Sequence, residues 1–142
     1  MIAYLDASII LRLVLGEPHQ LAEWPTVSKA VASALTEVEC LRTLDRLERQ
    51  GLLTINDLAV RRAGVYRLLE AVEIVDVSRS VLQRASESFA TPLGTLDAIH
   101  LATALAWRSQ GQRALVMATH DKALGTASRA LGLEVIGVAP HA

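Results

Sequence analysis

Four acidic residues stand where secondary-structure elements are predicted to begin or end. Asp6 follows the short apolar run Ile2–Leu5, and Asp121 lies just beyond a second apolar run. Asp97 begins an alanine-rich segment, and Glu39 lies near the start of another helical segment. Carboxylate oxygens are hard ligands that suit Mg²⁺ or Mn²⁺, and such an ion can polarise a phosphoryl oxygen and activate a bound water. If the four acids converge, they predict metal-dependent hydrolysis of a phosphate ester.

Each acid also has a purely structural explanation. An Asp at a helix start is a favoured cap that stabilises by about 1 kcal/mol, which fits Asp6, Asp97 and Asp121. Thr36 and Glu39 have the spacing of a capping box. Taken singly, capping is the simpler explanation. Several carboxylates within a few ångströms would instead repel and raise one another's pKa unless a cation compensated.

Short apolar runs alternate with longer helical patterns along the chain. This alternation predicts parallel β-α-β units with right-handed crossovers, and helices on both faces of the sheet. Ligands bind outside the carboxyl ends of the strands in such sheets. At 142 residues, with no repeat or linker, we expect one α/β domain over residues 1–142. The predicted strands are 2–5, 30–33, 73–77, 115–118 and 134–137, and the predicted helices 8–15, 19–24, 36–50, 56–71, 80–89, 96–109 and 122–131.

One position among the four acids is ambiguous on periodicity. A helical wheel at 100° per residue places Glu37 near the stripe of Leu41, Leu44 and Leu47, and places Glu39 away from it. Periodicity alone therefore leaves Glu37 as a rival of Glu39 for the metal.

Composition and charge exclude some classes of protein but do not select a substrate. The chain has 14 basic and 15 acidic residues, so four acids gathered in one site would leave 11 elsewhere. Twelve of the basic residues are Arg, whose guanidinium suits bidentate phosphate contact. No apolar run approaches the roughly 20 residues of a membrane span, and the N-terminus does not fit a secretory signal. The lone Cys40 suits a reducing cytosol, so we expect a cytoplasmic protein.

Four motifs now identify a family resemblance. They are YLDAS at residues 4–8, SALTEVECLR at 33–42, LDAIHLATA at 96–104 and THDKAL at 119–124, the last followed by LGLEV at 131–135. In this order and spacing the chain resembles the PIN-domain nucleases, and in particular the VapC-type toxins of bacterial toxin–antitoxin pairs. The Asp-Ala-x-His-x-Ala run is the most specific match. The second motif places the acid three residues after Thr and three before Arg, which selects Glu39 over Glu37.

The resemblance implies a three-layer α/β/α fold with a five-stranded parallel sheet. It implies a Mg²⁺- or Mn²⁺-dependent endoribonuclease in which Asp6, Glu39, Asp97 and Asp121 hold one or two ions and orient the hydrolytic water. By the same analogy the protein acts on RNA, forms a homodimer and is silenced by a VapB-like antitoxin. Ser8, Thr95 and Thr119 flank the acids, and we expect them to hold these acids or contact substrate.

Two other residues and two other functions remain open at this stage. His100 lies three residues after Asp97, and we interpret it as a polar neighbour packed against the sheet edge rather than a metal ligand. Arg42 is one turn from Glu39, where a phosphate or the acids could engage it. An aspartyl phosphohydrolase is an alternative, but the second Asp it would need is absent at position 8. A non-catalytic receiver-like domain is another, but it would need paired acids after the first strand.

Overall fold

A five-stranded parallel sheet forms the centre of the computed structural model, which describes residues 1–111 and 113–140. The strand order is β3-β2-β1-β4-β5, and every neighbouring pair is parallel. The chain therefore moves from β1 to one side through β2 and β3, then crosses to the other side. The crevice at this change of direction lies between the carboxyl ends of β1 and β4. The strands are β1 Ile2–Leu5, β2 Lys29–Ser33, β3 Val72–Val75, β4 Val116–Ala118 and β5 Glu134–Ile136.

Six α-helices cover the two faces of this sheet within the described residues. Alternate residues of β1 face opposite layers: Ala3 and Leu5 pack with α1, α2 and α3, whereas Tyr4 packs with α5 and α6. The three-layer α/β/α architecture with a five-stranded parallel sheet is therefore confirmed. The helices are α1 Ala7–Leu15, α2 Leu35–Arg49, α3 Ile55–Glu70, α4 Arg79–Ala85, α5 Thr95–Gly111 and α6 Lys122–Ala130.

Local sequence signals explain where several helices begin and end. Asp6 caps α1 by accepting hydrogen bonds from the backbone of Ser8 and Ile9, and Gly16 ends this helix with a left-handed φ of 65°. Thr54 and Asp57 form a reciprocal capping box at the start of α3. These caps fix the direction in which each helix leaves its strand or loop.

One predicted helix is absent and another is shorter than predicted. Residues 19–23 form bends, turns and irregular backbone, and only a short 3-10 helix follows at Trp24–Thr26. The segment is short, lies between two prolines and begins at His19 with a left-handed φ of 61°, which interrupts any helix. Helix α4 ends at Ala85, four residues before the predicted end. There the Ser86 hydroxyl donates to the Leu82 carbonyl, a local bond that competes with helix continuation.

The described helices also bear on the membrane prediction. None of those found in residues 1–111 and 113–140 combines the length and the apolar character that a bilayer crossing requires. The prediction of a single domain over residues 1–142 includes residues 112, 141 and 142, which lie outside the described residues. It stays a prediction.

Candidate active site

Asp6 is buried at the carboxyl end of β1, at 5% exposure. Its Oδ1 accepts hydrogen bonds from the Ser8 backbone N–H at 3.0 Å and from the Ser8 hydroxyl at 2.5 Å. Its Oδ2 accepts from the Thr119 hydroxyl at 2.5 Å. Burial raises the pKa of Asp6, while the hydrogen bonds from Ser8 and Thr119 oppose that rise. The carboxylate is thus held on both oxygens, with its orientation fixed.

Thr119 ties this acid to Asp121 at the end of β4. While its hydroxyl donates to Asp6, its oxygen accepts from the Asp121 backbone N–H at 2.9 Å. Asp121 in turn caps α6, because its Oδ1 accepts from the Leu124 N–H at 2.9 Å. The Ser8 oxygen accepts from the His120 N–H at 3.0 Å. The hydroxyl groups of Ser8 and Thr119 therefore connect the carboxyl ends of β1 and β4 at the crevice between these two strands.

The ambiguity between Glu37 and Glu39 is resolved by the orientation of α2. The fully buried face of this helix contains Thr36, Cys40 and Leu44, so of the leucine stripe used for the wheel only Leu44 is fully buried. Glu37 is exposed, in a groove beside Arg42. Glu39 is half-buried, and its Oε1 lies 2.5 Å from His100 Nε2. The structure brings Glu39 towards the other acids and leaves Glu37 outside.

Asp97 lies in the first turn of α5 and is electrostatically coupled to the other three acids. Its pKa is raised to about 6, mainly by burial and then by the negative charges of Asp121, Asp6 and Glu39. Nearby His100 partly opposes this rise. All four predicted site residues therefore share one region of negative potential, although they come from four separate segments.

No Lys or Arg in the described residues forms an ion pair with any of the four acids. Nor do any three Asp, Glu, His or Cys side chains of residues 1–111 and 113–140 already form a metal-binding arrangement. Without a counter-ion these like charges repel one another. A region of uncompensated carboxylate oxygens fits a hard divalent cation, and the donors are of the type that Mg²⁺ and Mn²⁺ prefer.

Ser8 and Thr119, which were expected to hold the acids or contact substrate, do contact the acids. Thr95 and Arg42 do not. Thr95 begins α5, is exposed, and makes no side-chain hydrogen bond to the acids within the described part of the chain. Arg42 is exposed and lies 4.0 Å from Asp45, the acid with which it pairs. The expectation that Arg42 engages the acids is therefore not met in this structure.

Sequence reasoning missed the environment of two residues. His100 is 1% exposed and contacts Tyr4 of β1 and Glu39 of α2 through its two ring nitrogens. Tyr4 belongs to the first motif but had no predicted role, although residues 4 and 6 of an extended strand point to the same side. The three-residue spacing from Asp97 to His100 was the available signal for the histidine.

Comparison with known proteins places this arrangement in a family. The family model described as PIN domain matches residues 3–128, and the chain belongs to that family. Within it, the chain is 34% identical over 137 residues to Ribonuclease VapC46 of Mycobacterium tuberculosis, covering 94% of this chain and 95% of the relative.

Solved structures show the same fold at low sequence identity. FitAcB from Neisseria gonorrhoeae aligns with a TM-score of 0.69 at 19% identity, over 95% of this chain and 96% of that one. VapBC2 from Rickettsia felis, bound to a DNA fragment from its promoter, aligns with a TM-score of 0.67 at 14% identity, over 95% and 97%. Both likenesses extend along nearly the whole chain.

Proposed function

We propose that this protein is an endoribonuclease that hydrolyses RNA phosphodiester bonds at the carboxyl ends of β1 and β4. The observation that supports this most is the set of four carboxylates that act on one another with no Lys or Arg partner in the described residues, in a chain of the PIN family. The 34% identity to a protein named Ribonuclease VapC46 supports the substrate class. On this proposal Asp6, Glu39, Asp97 and Asp121 hold one or two Mg²⁺ or Mn²⁺ ions.

The residues of the chain divide the work in this proposal. Bound divalent metal supplies Lewis acidity to a phosphoryl oxygen and lowers the pKa of a coordinated water. Asp6 offers a fixed carboxylate because Ser8 and Thr119 hold both of its oxygens. Asp97, with a pKa near 6, is mostly ionised at neutral pH and becomes a weaker ligand below that. Because protons and the metal compete for this carboxylate, we expect metal affinity at limiting metal concentration to decline as the pH falls through about 6.

The biological role we propose is the toxin of a toxin–antitoxin pair. The relatives of this chain include VapC ribonucleases, and structural neighbours include VapBC2, a complex named for both partners. A VapB-like antitoxin that covers the acidic site would silence the enzyme until the antitoxin is removed. The homodimer and the cytoplasmic location also remain predictions.

Neither alternative function finds support in the geometry. At the position where a phosphohydrolase would place a second Asp stands Ser8, whose hydroxyl donates to Asp6. A receiver-like domain would need paired acids directly after β1, where Asp6 is alone. We therefore propose no second function.

Cleavage of single-stranded RNA tests the proposal. The purified protein should cut internal bonds with Mg²⁺ or Mn²⁺ and stop with EDTA, and Asp97→Asn should lose cleavage while keeping its fold. Asp76→Asn is the matched control, because Asp76 follows β3 at the same sheet edge but is exposed and follows a strand two places from β1 in the sheet. If Asp97→Asn cuts RNA at the wild-type rate, Asp97 is not a residue of the active site. Cleavage that does not require metal would refute the proposed chemistry.

A further inference from the structure

A buried chain of hydrogen bonds runs from β1 through α5 to α2. The Tyr4 hydroxyl lies 2.8 Å from His100 Nδ1, and His100 Nε2 lies 2.5 Å from Glu39 Oε1. Tyr4 and His100 are 0% and 1% exposed, and their rings meet edge to face with centroids 5.9 Å apart. Three elements that are distant in sequence therefore meet through side-chain polar atoms inside the core.

The Glu39 carboxylate and the Tyr4 hydroxyl constrain how the His100 ring is oriented. An ionised carboxylate only accepts, so His100 Nε2 must carry the proton that faces Glu39. The Tyr4 hydroxyl can donate to Nδ1 or accept from it, so this bond fixes the orientation of the imidazole ring in either case. Tyr4 thus directs Nε2 of His100 towards Glu39.

The Glu39 carboxylate needs a hydrogen-bond partner because the negative charge of Asp97 repels it from the site. Its charge acts unfavourably on Asp97, and the repulsion is mutual. In the described residues Glu39 makes no hydrogen bond other than the one from His100, and this bond uses only Oε1. A Glu side chain has several rotamers, and without this bond those that point to solvent would be favoured by both entropy and repulsion. With the bond, Oε2 stays free for another ligand.

We propose that His100 is a positioning residue, oriented by Tyr4, that holds the Glu39 carboxylate in place to bind the divalent ion. This inference rests on the proposed function and deepens it by naming what orients one ligand of the site. Acidic metal ligands that are themselves hydrogen-bonded lose about 10- to 100-fold in metal affinity when the supporting partner is removed. His100 acts through Glu39 and does not itself need to touch metal or RNA.

The test is Mn²⁺ binding to full-length protein without RNA, followed by the electron paramagnetic resonance signal of free Mn²⁺. His100→Leu should weaken binding by about 10- to 100-fold. His100→Gln should recover most of the affinity, because its amide N–H can reach the position of Nε2. Tyr4→Phe should cause a smaller loss, since the imidazole stays in place but loses the hydrogen bond that fixes its orientation. Trp107→Phe is the control on the same helix, because it removes the hydrogen bond from Trp107 to Glu73 and changes the ring contacts with Lys29 and Arg113, without touching Glu39 or His100.

The outcomes separate this inference from the proposed function. If wild-type protein binds Mn²⁺ and a folded His100→Leu binds it equally well, the positioning role is refuted while the nuclease proposal stands. His100→Gln binding no better than His100→Leu would also refute it. If wild-type protein binds no Mn²⁺ and cuts no RNA, the proposed function itself fails. Should His100→Leu not fold, Tyr4→Phe decides, and wild-type affinity in that variant overturns the inference.

Discussion

Replacing Asp97 by Asn should stabilise the metal-free protein at neutral pH. Burial and neighbouring carboxylates raise the pKa of Asp97 from an ordinary value of 3.8 to about 6. Well below pH 4 the group is protonated in both folded and unfolded chains and does not affect the free energy of unfolding. As the pH rises towards 6 the unfolded chain ionises first, so the free energy of unfolding falls, and above 6 the loss is constant. Asn does not ionise, so the free energy of unfolding of the variant does not fall in this way as the pH rises.

The magnitude follows from the pKa difference and the exposure of the group. At 1.36 kcal/mol per pKa unit the full effect would be about 3 kcal/mol. Asp97 is only half-buried, and solvent screening reduces this to roughly 1 to 1.5 kcal/mol. Loss of its favourable interaction with the α5 N-terminus opposes the gain by about 0.5 kcal/mol. We expect a net gain of about 0.5 to 1 kcal/mol, which raises the melting temperature by roughly 2 to 4 °C for a chain of this size.

Thermal and urea unfolding in EDTA at pH 7.5 and at pH 4 measure this effect, with Asp76→Asn as the control for loss of one exposed charge. The gain should appear at pH 7.5 and be much smaller at pH 4, where Asp97 is neutral in the folded chain and only partly ionised in the unfolded chain. Saturating Mn²⁺ should then stabilise wild-type protein by about 2.7 kcal/mol at 100 times its dissociation constant, and reverse the order of the two proteins. An Asp97→Asn variant less stable than wild type in EDTA at pH 7.5 would refute the reasoning and favour a helix-capping role.

Three further substitutions test the site and its supports. Thr119→Val should lower the free energy of unfolding by about 2 kcal/mol, measured in urea, because it leaves a buried carboxylate oxygen without its donor. Gly137→Ala should destabilise strongly, because a Cβ there would lie 2.3 Å from the Thr119 carbonyl oxygen at a φ of 94°, whereas Gly94→Ala, with open space around it, should not. Glu39→Gln should abolish RNA cleavage and weaken Mn²⁺ binding, whereas Glu37→Gln should leave both at wild-type levels; equal losses would contradict the placement of α2.

The sequence was sufficient for the fold because its apolar runs are short, separate and bounded by clear stops. The first strand was predicted at its observed bounds, Ile2–Leu5, and Gly16 ends α1 as expected. The helix predicted at residues 19–24 was wrong because the periodicity of the sequence does not show the left-handed backbone at His19. Family resemblance then supplied the five-stranded topology, which alternation alone did not fix.

The site was predictable in its acids but not in what holds them. Wheel arithmetic placed the leucines of α2 inward, whereas the buried stripe includes Thr36 and Cys40, small side chains that a hydrophobic pattern does not distinguish from surface positions. The contact of Tyr4 with His100 joins residues 96 apart in sequence, so only the assembled sheet and helices reveal it. The motif located His100, but its role depends on tertiary neighbours.

Crystals of the protein soaked in Mn²⁺, with the ion located by anomalous scattering, test the central claim most directly. The account predicts a peak at the carboxyl ends of β1 and β4, within about 2.1 to 2.3 Å of carboxylate oxygens from Asp6 and Asp97 and close to those of Glu39 and Asp121. Mn²⁺ bound only elsewhere, or four carboxylates that remain apart at saturating Mn²⁺, would contradict it.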